Sequence, residues 1–140
     1  MNINDLPSII AQDEEGAVVP IFQKNGDPYL ALDGKTQSTF TVVGTESKKY
    51  QEAKRAHQKR VFSLLKRSGG NSLDPEVANI EDIKLAARAV TAFSGWDDGK
   101  KDLEFTPENV KRLLSAPHIY NQVIAGINGH ADFFTRNSTG

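Results

Sequence analysis

A helix-start signal occurs twice in the second half of the chain, at Asp74-Pro75-Glu76 and at Thr106-Pro107-Glu108. The first side chain can accept a hydrogen bond from a free backbone amide, and proline has no amide to leave unpaired in the first turn. The glutamate is stabilised near the positive end of the helix dipole. The signals therefore predict two helices, which apolar periodicity extends to about Ser94 and to Leu114. We expect the first of these to be the central helix.

Two further helices are predicted on either side of this pair. Thr45 or Ser47 can cap a helix that runs to about Ser68 and stops at the glycine pair that follows. The apolar pattern is interrupted at Ala116-Pro117 and resumes beyond it, which predicts a last helix.

The first third of the chain favours β-structure. Residues 17–22, 29–32 and 38–43 are predicted strands, and Pro20 suits an edge position because it has no amide to donate. Clusters of Asn, Gly, Asp and Pro between them are turn signals. The predicted fold class is α+β: a small N-terminal antiparallel β-sheet of two or three strands, then a mainly helical part of about four helices.

The chain is expected to have three regions. Residues 1–16 are predicted to be a flexible or short-helical arm, residues 17–135 a single α+β domain, and residues 136–140 a loose tail. A chain of 140 residues has room for one hydrophobic core of this kind.

Composition argues against several classes of function. The formal net charge is −1, so the whole molecule offers no field that selects nucleic acid or anionic lipid. There are no cysteines for disulfides, thiolate metal sites or nucleophiles. No stretch approaches the roughly 20 apolar residues of a membrane span, and no basic segment followed by an apolar run marks a leader. We expect a soluble intracellular protein.

Patterns for catalysis and metal binding are missing from the sequence. His57, His118 and His130 share no ligand spacing, so a packed histidine is the more ordinary interpretation of each. The acidic stretch 97–104 lacks the alternating oxygen ligands of an EF-hand loop. No nucleophile elbow or glycine-rich phosphate loop is present. We therefore predict no catalytic residue, no cofactor and no metal site.

Several motifs resemble, in their order and spacing, those of bacteriophage tail assembly chaperones. Gly95-Trp96 is followed by Gly99 and by the run Leu-Glu-Phe-Thr-Pro-Glu-Asn-Val-Lys-Arg-Leu-Leu at 103–114. The last predicted helix leads to the pair Phe133-Phe134. Residues 44–50, where a predicted strand is followed by a helix, are similar to the start of the helical part of such proteins. The resemblance covers residues 38–134.

The resemblance implies a non-enzymatic role in tail assembly. Chaperones of this family coat the helix-rich tape measure protein in the host bacterial cytoplasm, keep it soluble until tail tube subunits polymerise, and are absent from the mature virion. In many phages a programmed frameshift also makes an extended form that recruits the tail tube protein. The implied partners are thus the tape measure protein, the tail tube protein for an extended form, and further copies of the chain. A head–tail joining or other morphogenesis protein is the alternative within phage assembly.

The helix after Ser47 supports an alternative of another class, a nucleic-acid-binding regulator. Residues 46–67 contain eight Lys or Arg and two Glu. We favour a solvated basic face, because single-strand binding requires aromatic residues between the basic positions and none is expected there. Contact with an acidic protein surface is a further alternative. Trp96 and Phe105 are expected in the core. The candidate partner-binding residues are Phe133, Phe134, Tyr120, Lys48, Arg55 and Lys59.

Overall fold

The structure, a computed structural model, describes residues 2–70 and 72–131. These residues form a three-stranded antiparallel sheet, a short 3-10 helix and five α-helices, so the α+β class is confirmed. In chain order the elements are the 3-10 helix Ile3–Asp5, α1 Leu6–Glu14, β1 Ala17–Pro20, β2 Thr39–Val42, α2 Lys48–Arg67, α3 Pro75–Ala89, β3 Val90–Ser94, α4 Pro107–Leu114 and α5 Pro117–Asn128.

The strand order is β1-β2-β3, with both pairs antiparallel. β1 contains Pro20 and lies at an edge, as predicted. β2 is central, and its Phe40 and Val42 are fully buried. The register places Phe40 opposite Val19 on β1 and opposite Phe93 on β3.

The position of β3 corrects the predicted layout, because the sheet is not strictly N-terminal. Residues 90–94 were expected to end the helix that starts at Pro75, but they form the third strand. α3 ends at Ala89, whose carbonyl accepts a 3.0 Å hydrogen bond from the Val43 amide just beyond β2. Val90 and Phe93 also suit the helical apolar spacing, so periodicity alone could not separate helix from strand here. Antiparallel pairing with β2 makes residues 90–94 a strand.

The predicted strand 29–32 is also wrong. The structure has only isolated bridges there, Phe22 with Pro28 and Leu30 with Gln37. The predicted turns on both sides are present in the structure. At the second turn, the Asp33 carboxylate accepts hydrogen bonds from the backbone amides of Lys35 and Thr36. Residues 29–32 therefore connect two turns through isolated bridges and do not form a continuous ladder.

The helix starts agree with their local signals. The side chains of Ser47, Asp74 and Thr106 each accept a backbone amide hydrogen bond two or three residues further on, at 3.0, 2.8 and 3.1 Å respectively. The helix count differs from the expected number of about four, since the described residues contain five α-helices. The additional helix is α1, which lies within the segment expected to be flexible or short-helical.

α3 is central, as predicted, and packs against α2, α4 and α5 before it continues into β3. α5 lies across β1 and β2, and the approach is close at Gly126. A Cβ at that position would be 2.5 Å from Val19 Cγ2, so only glycine allows this spacing. Trp96 is 8% exposed within the core, which confirms the expectation for that residue. Over the described part of the chain, no helix combines the length and the apolar character of a membrane span.

Candidate protein-binding groove

A groove of about 570 Å³ opens between α2, α3 and α4. Its apolar lining consists of Ala87, Val90, Phe105, Pro107 and Val110. Its charged rim consists of Lys49, Glu52, Lys84, Arg88 and Lys111. Val90 and Val110 are 3% and 2% exposed, so the apolar lining reaches into the core.

Each helix contributes to the groove through residues three or four positions apart. Such residues share one face of a helix. They are Lys49 and Glu52 on α2, Lys84, Ala87 and Arg88 on α3, and Pro107, Val110 and Lys111 on α4. The small Ala87 side chain leaves space between the helices, and the long cationic side chains surround it. The groove is therefore built on rigid elements rather than on loops alone.

Phe105 forms one wall of this groove, which corrects its assignment to the core. Its side chain is 43% exposed. Its ring packs against Phe93 with centroids 5.1 Å apart and planes at 88°, the edge-to-face arrangement favoured by ring quadrupoles. The ring thus packs against a partly buried residue at the edge of the core and also presents apolar surface to the groove.

The rim carries four cationic side chains and one carboxylate, a formal excess of +3 (4 − 1). Lys84 Nζ lies 3.4 Å from Glu81 Oε1. Among the described residues, Lys49, Arg88 and Lys111 have no acidic partner within ion-pair distance. The rim is therefore a positive surface beside an apolar one, although the whole chain has a net charge of −1.

A smaller hollow of about 220 Å³ continues along α2 and α3 and shares Lys84 and Arg88 with the groove. Glu81 lies there with only 5% exposure. Arg60 Nε, at 3.5 Å, and Lys84 Nζ both pair with its Oε1 atom. Arg60 and Lys84 neutralise Glu81. Because about half of each of these two side chains remains exposed, both also present positive charge to solvent.

Four of the six predicted partner-binding residues lie in the described part of the chain, and none of these four lines the groove. Lys48, Arg55 and Lys59 are exposed along α2 and do not line the groove. Tyr120 is half-buried on α5. Phe133 and Phe134 lie outside the described residues. These six assignments remain predictions.

One expectation for the basic face of α2 is wrong. Phe62 is 60% exposed and lies three residues after Lys59 and four before Lys66, on the same face. The Lys66 ammonium is 4.8 Å from the centroid of the Phe62 ring. An aromatic ring therefore does stand between the basic positions.

The phenol of Tyr120 has a shifted acidity. Burial raises the pKa of Tyr120 above its ordinary value of 10.0, and the charges of Asp82 and of Tyr50 act in the same direction. The neutral phenol is thus the favoured form in the folded protein. This is a property of a packed tyrosine and does not by itself indicate a binding role.

The three histidines each contact a neighbour. His57 Nε2 is 3.1 Å from Asp82 Oδ1, and His118 Nε2 is 2.6 Å from the Tyr29 hydroxyl. His130 is buried, with its Nε2 atom 2.6 Å from the carbonyl oxygen of Glu15. Across residues 2–70 and 72–131, no three His, Asp or Glu side chains are grouped so that they could hold a metal ion.

The groove could not be predicted from the sequence, because its lining comes from three separate segments of the chain, residues 49–52, 84–90 and 105–111. A weak signal was present in α3, where Lys84 and Arg88 lie one helical turn apart beside the small Ala87. That pattern indicates a helix face that is basic and flat, but it does not show which other elements face it.

Comparisons of the chain with protein-family models, with curated proteins and with solved structures gave no match. The proposals that follow rest on the residues and contacts of this chain and on the motif resemblance described above.

Proposed function

We propose that this protein is a tail assembly chaperone of a long-tailed bacteriophage, which binds a tape measure protein and keeps it soluble. The motif resemblance over residues 38–134 suggests the family. The single observation that carries a binding role is the groove between α2, α3 and α4, with its apolar lining and positive rim. A long helical protein with apolar stripes would aggregate unless those stripes were covered, and a helix-lined groove can cover them.

The size of the groove suggests how such binding works. Burying one large aliphatic or aromatic side chain contributes about 1.5–3 kcal/mol, and the cost of association offsets much of this. One groove that receives one or two side chains therefore binds weakly and reversibly. Many copies bound along one tape measure protein would together keep it covered, and each copy could still dissociate when tail tube subunits arrive. Self-association of the chain would strengthen this effect.

The proposal extends to place and partners. The chain would act in the cytoplasm of the host bacterium and would be absent from the mature virion. Its main partner would be the tape measure protein. A frameshift-extended form would add contact with the tail tube protein.

Co-expression with the tape measure protein of the same phage tests the proposal. We expect a soluble complex recovered by affinity pull-down, with the tape measure protein insoluble when it is expressed alone. A tape measure protein that stays insoluble with the chain present would refute the chaperone function. Finding the chain in purified mature particles would instead support a head–tail joining or other structural role.

A nucleic-acid-binding regulator is the second candidate, favoured by one observation. Phe62 is exposed between basic positions of α2, so this face offers a ring for base stacking beside cations for phosphates. Retention on heparin, and a shift of single-stranded DNA that weakens steeply with salt, would support it. Loss of that shift in Phe62→Ala would assign the binding to this face.

A further inference from the structure

We infer that the groove between α2, α3 and α4 binds an amphipathic α-helical segment of a partner protein whose apolar stripe is flanked by acidic side chains. This inference rests on the proposed function, because it takes the bound partner to be a protein segment. It adds the charge of that segment, and the groove itself supports the helical conformation.

The helical conformation follows from what the groove offers. Its lining is made of side chains from three helices, whose backbone groups bond within each helix, together with Val90 at the start of β3 and Phe105 before α4. An extended segment would need a row of free backbone groups to pair with, and the edge strand β3 contributes only its first residue, Val90, to the lining. A bound helix satisfies its own backbone and presents only side chains, so it suits this surface.

The acidic flanks follow from the rim. Lys49, Arg88 and Lys111 have no ion-pair partner among the described residues, and Lys84 shares Glu81 with Arg60. Glu52 is the one carboxylate among the lining residues. A partner with glutamate or aspartate beside its apolar stripe would meet these cations, while a basic partner would be repelled.

Two other kinds of ligand fit the lining less well. The described lining residues include no Ser, Thr, Tyr, Asn or Gln side chain, so an uncharged small molecule would meet none of the neutral side chains that commonly fix its orientation. Nucleic acid would find one aromatic ring there, Phe105, which already packs against Phe93. A protein segment uses both the apolar lining and the positive rim.

The test uses the full chain and a pair of synthetic peptides. Both are fluorescein-labelled amphipathic helices of about 20 residues with leucine at helical spacing, and they differ only in having glutamate or glutamine at the flanking positions. Fluorescence anisotropy reports binding. We expect the glutamate peptide to bind about tenfold more tightly than the glutamine peptide at low salt, and this difference to shrink as salt screens the rim. Equal binding of the two peptides would overturn the inference.

Variants of the chain locate the binding. The double variant Arg88→Gln, Lys111→Gln removes two rim cations and should bind the glutamate peptide about fivefold to tenfold more weakly. Glu52→Gln should strengthen binding of the glutamate peptide about twofold, because the substitution removes a negative charge that repels the peptide. Lys54→Gln is the matched control: Lys54 is exposed on α2, about 140° around the helix from Lys49, and does not line the groove. Binding that responds equally to Lys54→Gln and to the rim changes would overturn the assignment to the groove.

Two further results separate the possible failures. If the tape measure protein is solubilised equally by the wild type and by the Arg88→Gln, Lys111→Gln variant, the chaperone function stands and this inference falls. If the glutamate peptide binds at the rim but no tape measure protein is solubilised, the inference stands and the chaperone function falls. Light scattering tests whether a second copy of the chain occupies the groove. A dimer that persists in the presence of the glutamate peptide and is lost in the rim variant would assign the groove to a second copy. That result would overturn the inference.

Discussion

The ring of Phe105 stands at 88° to the ring of Phe93, with the centroids 5.1 Å apart, and this contact links the groove to the core. From Phe93 the ring contacts continue to the fully buried Phe40 and on to Trp96, at centroid distances of 6.0 and 5.4 Å. One row of rings thus connects a surface that we propose for binding with the packing that stabilises the sheet.

This row predicts a graded loss of stability. Phe105→Ala removes an aromatic pair and part of a half-exposed ring, so it should lower the free energy of unfolding by about 1–2 kcal/mol. Phe40→Ala leaves a cavity in the core and should cost about 3–5 kcal/mol. Urea unfolding of both variants measures the difference. Equal losses would mean that Phe105 is as essential to the core as Phe40.

The glycine motif before α4 predicts a second contrast. Gly95 and Gly99 both have positive φ, +80° and +93°, so alanine at either position is strained by about 1 kcal/mol or more. At Gly95 an added Cβ would also come within 2.8 Å of Ser38 Cα, whereas nothing lies within 4 Å at Gly99. We expect Gly95→Ala to lower the thermal midpoint clearly more than Gly99→Ala. The reverse order would contradict this packing.

Tyr120 predicts a pH dependence at the alkaline end. The pKa of Tyr120 in the folded protein is raised above the ordinary value of 10.0. The contribution of Tyr120 to the free energy of unfolding is therefore fully present below pH 10 and is lost as pH rises through the folded-state pKa. Stability should therefore fall less steeply above pH 10 in Tyr120→Phe than in the wild type. Phenolate absorbance can locate the titration directly, and Asp82→Asn should move it towards lower pH. Identical alkaline profiles for the wild type and Tyr120→Phe would contradict the shift.

Phe62 predicts a separation of stability from binding. Its side chain is 60% exposed and its described ring contact is with Lys66, so Phe62→Ala should change the free energy of unfolding by no more than about 0.5–1 kcal/mol. If the nucleic-acid alternative holds, the same variant should lose most single-strand binding. If the groove carries the function, it should solubilise the tape measure protein as the wild type does. Thermal melting, the DNA shift and the co-expression assay distinguish these results.

The helix starts could be predicted from sequence because their causes are local. Ser47, Asp74 and Thr106 each cap an amide two or three residues away, so the pattern and the bond lie in the same short stretch. The edge position of β1 follows in the same way from Pro20. Strand β3 could not be separated from the end of α3, because Val90 and Phe93 fit the apolar spacing of both structures.

The sequence by itself therefore determined the α+β class, the capped starts of α2, α3 and α4, and the turns near Gly26 and Gly34. These features depend on hydrogen bonds and backbone preferences within a few residues. Only the tertiary structure decided where α3 ends, that Phe105 lies half-exposed at a surface, and that Lys49, Arg88 and Lys111 surround one groove. The physical reason is that each of these features depends on packing or pairing between segments distant in the chain, and helical or strand periodicity indicates which face is apolar but not which partner covers it.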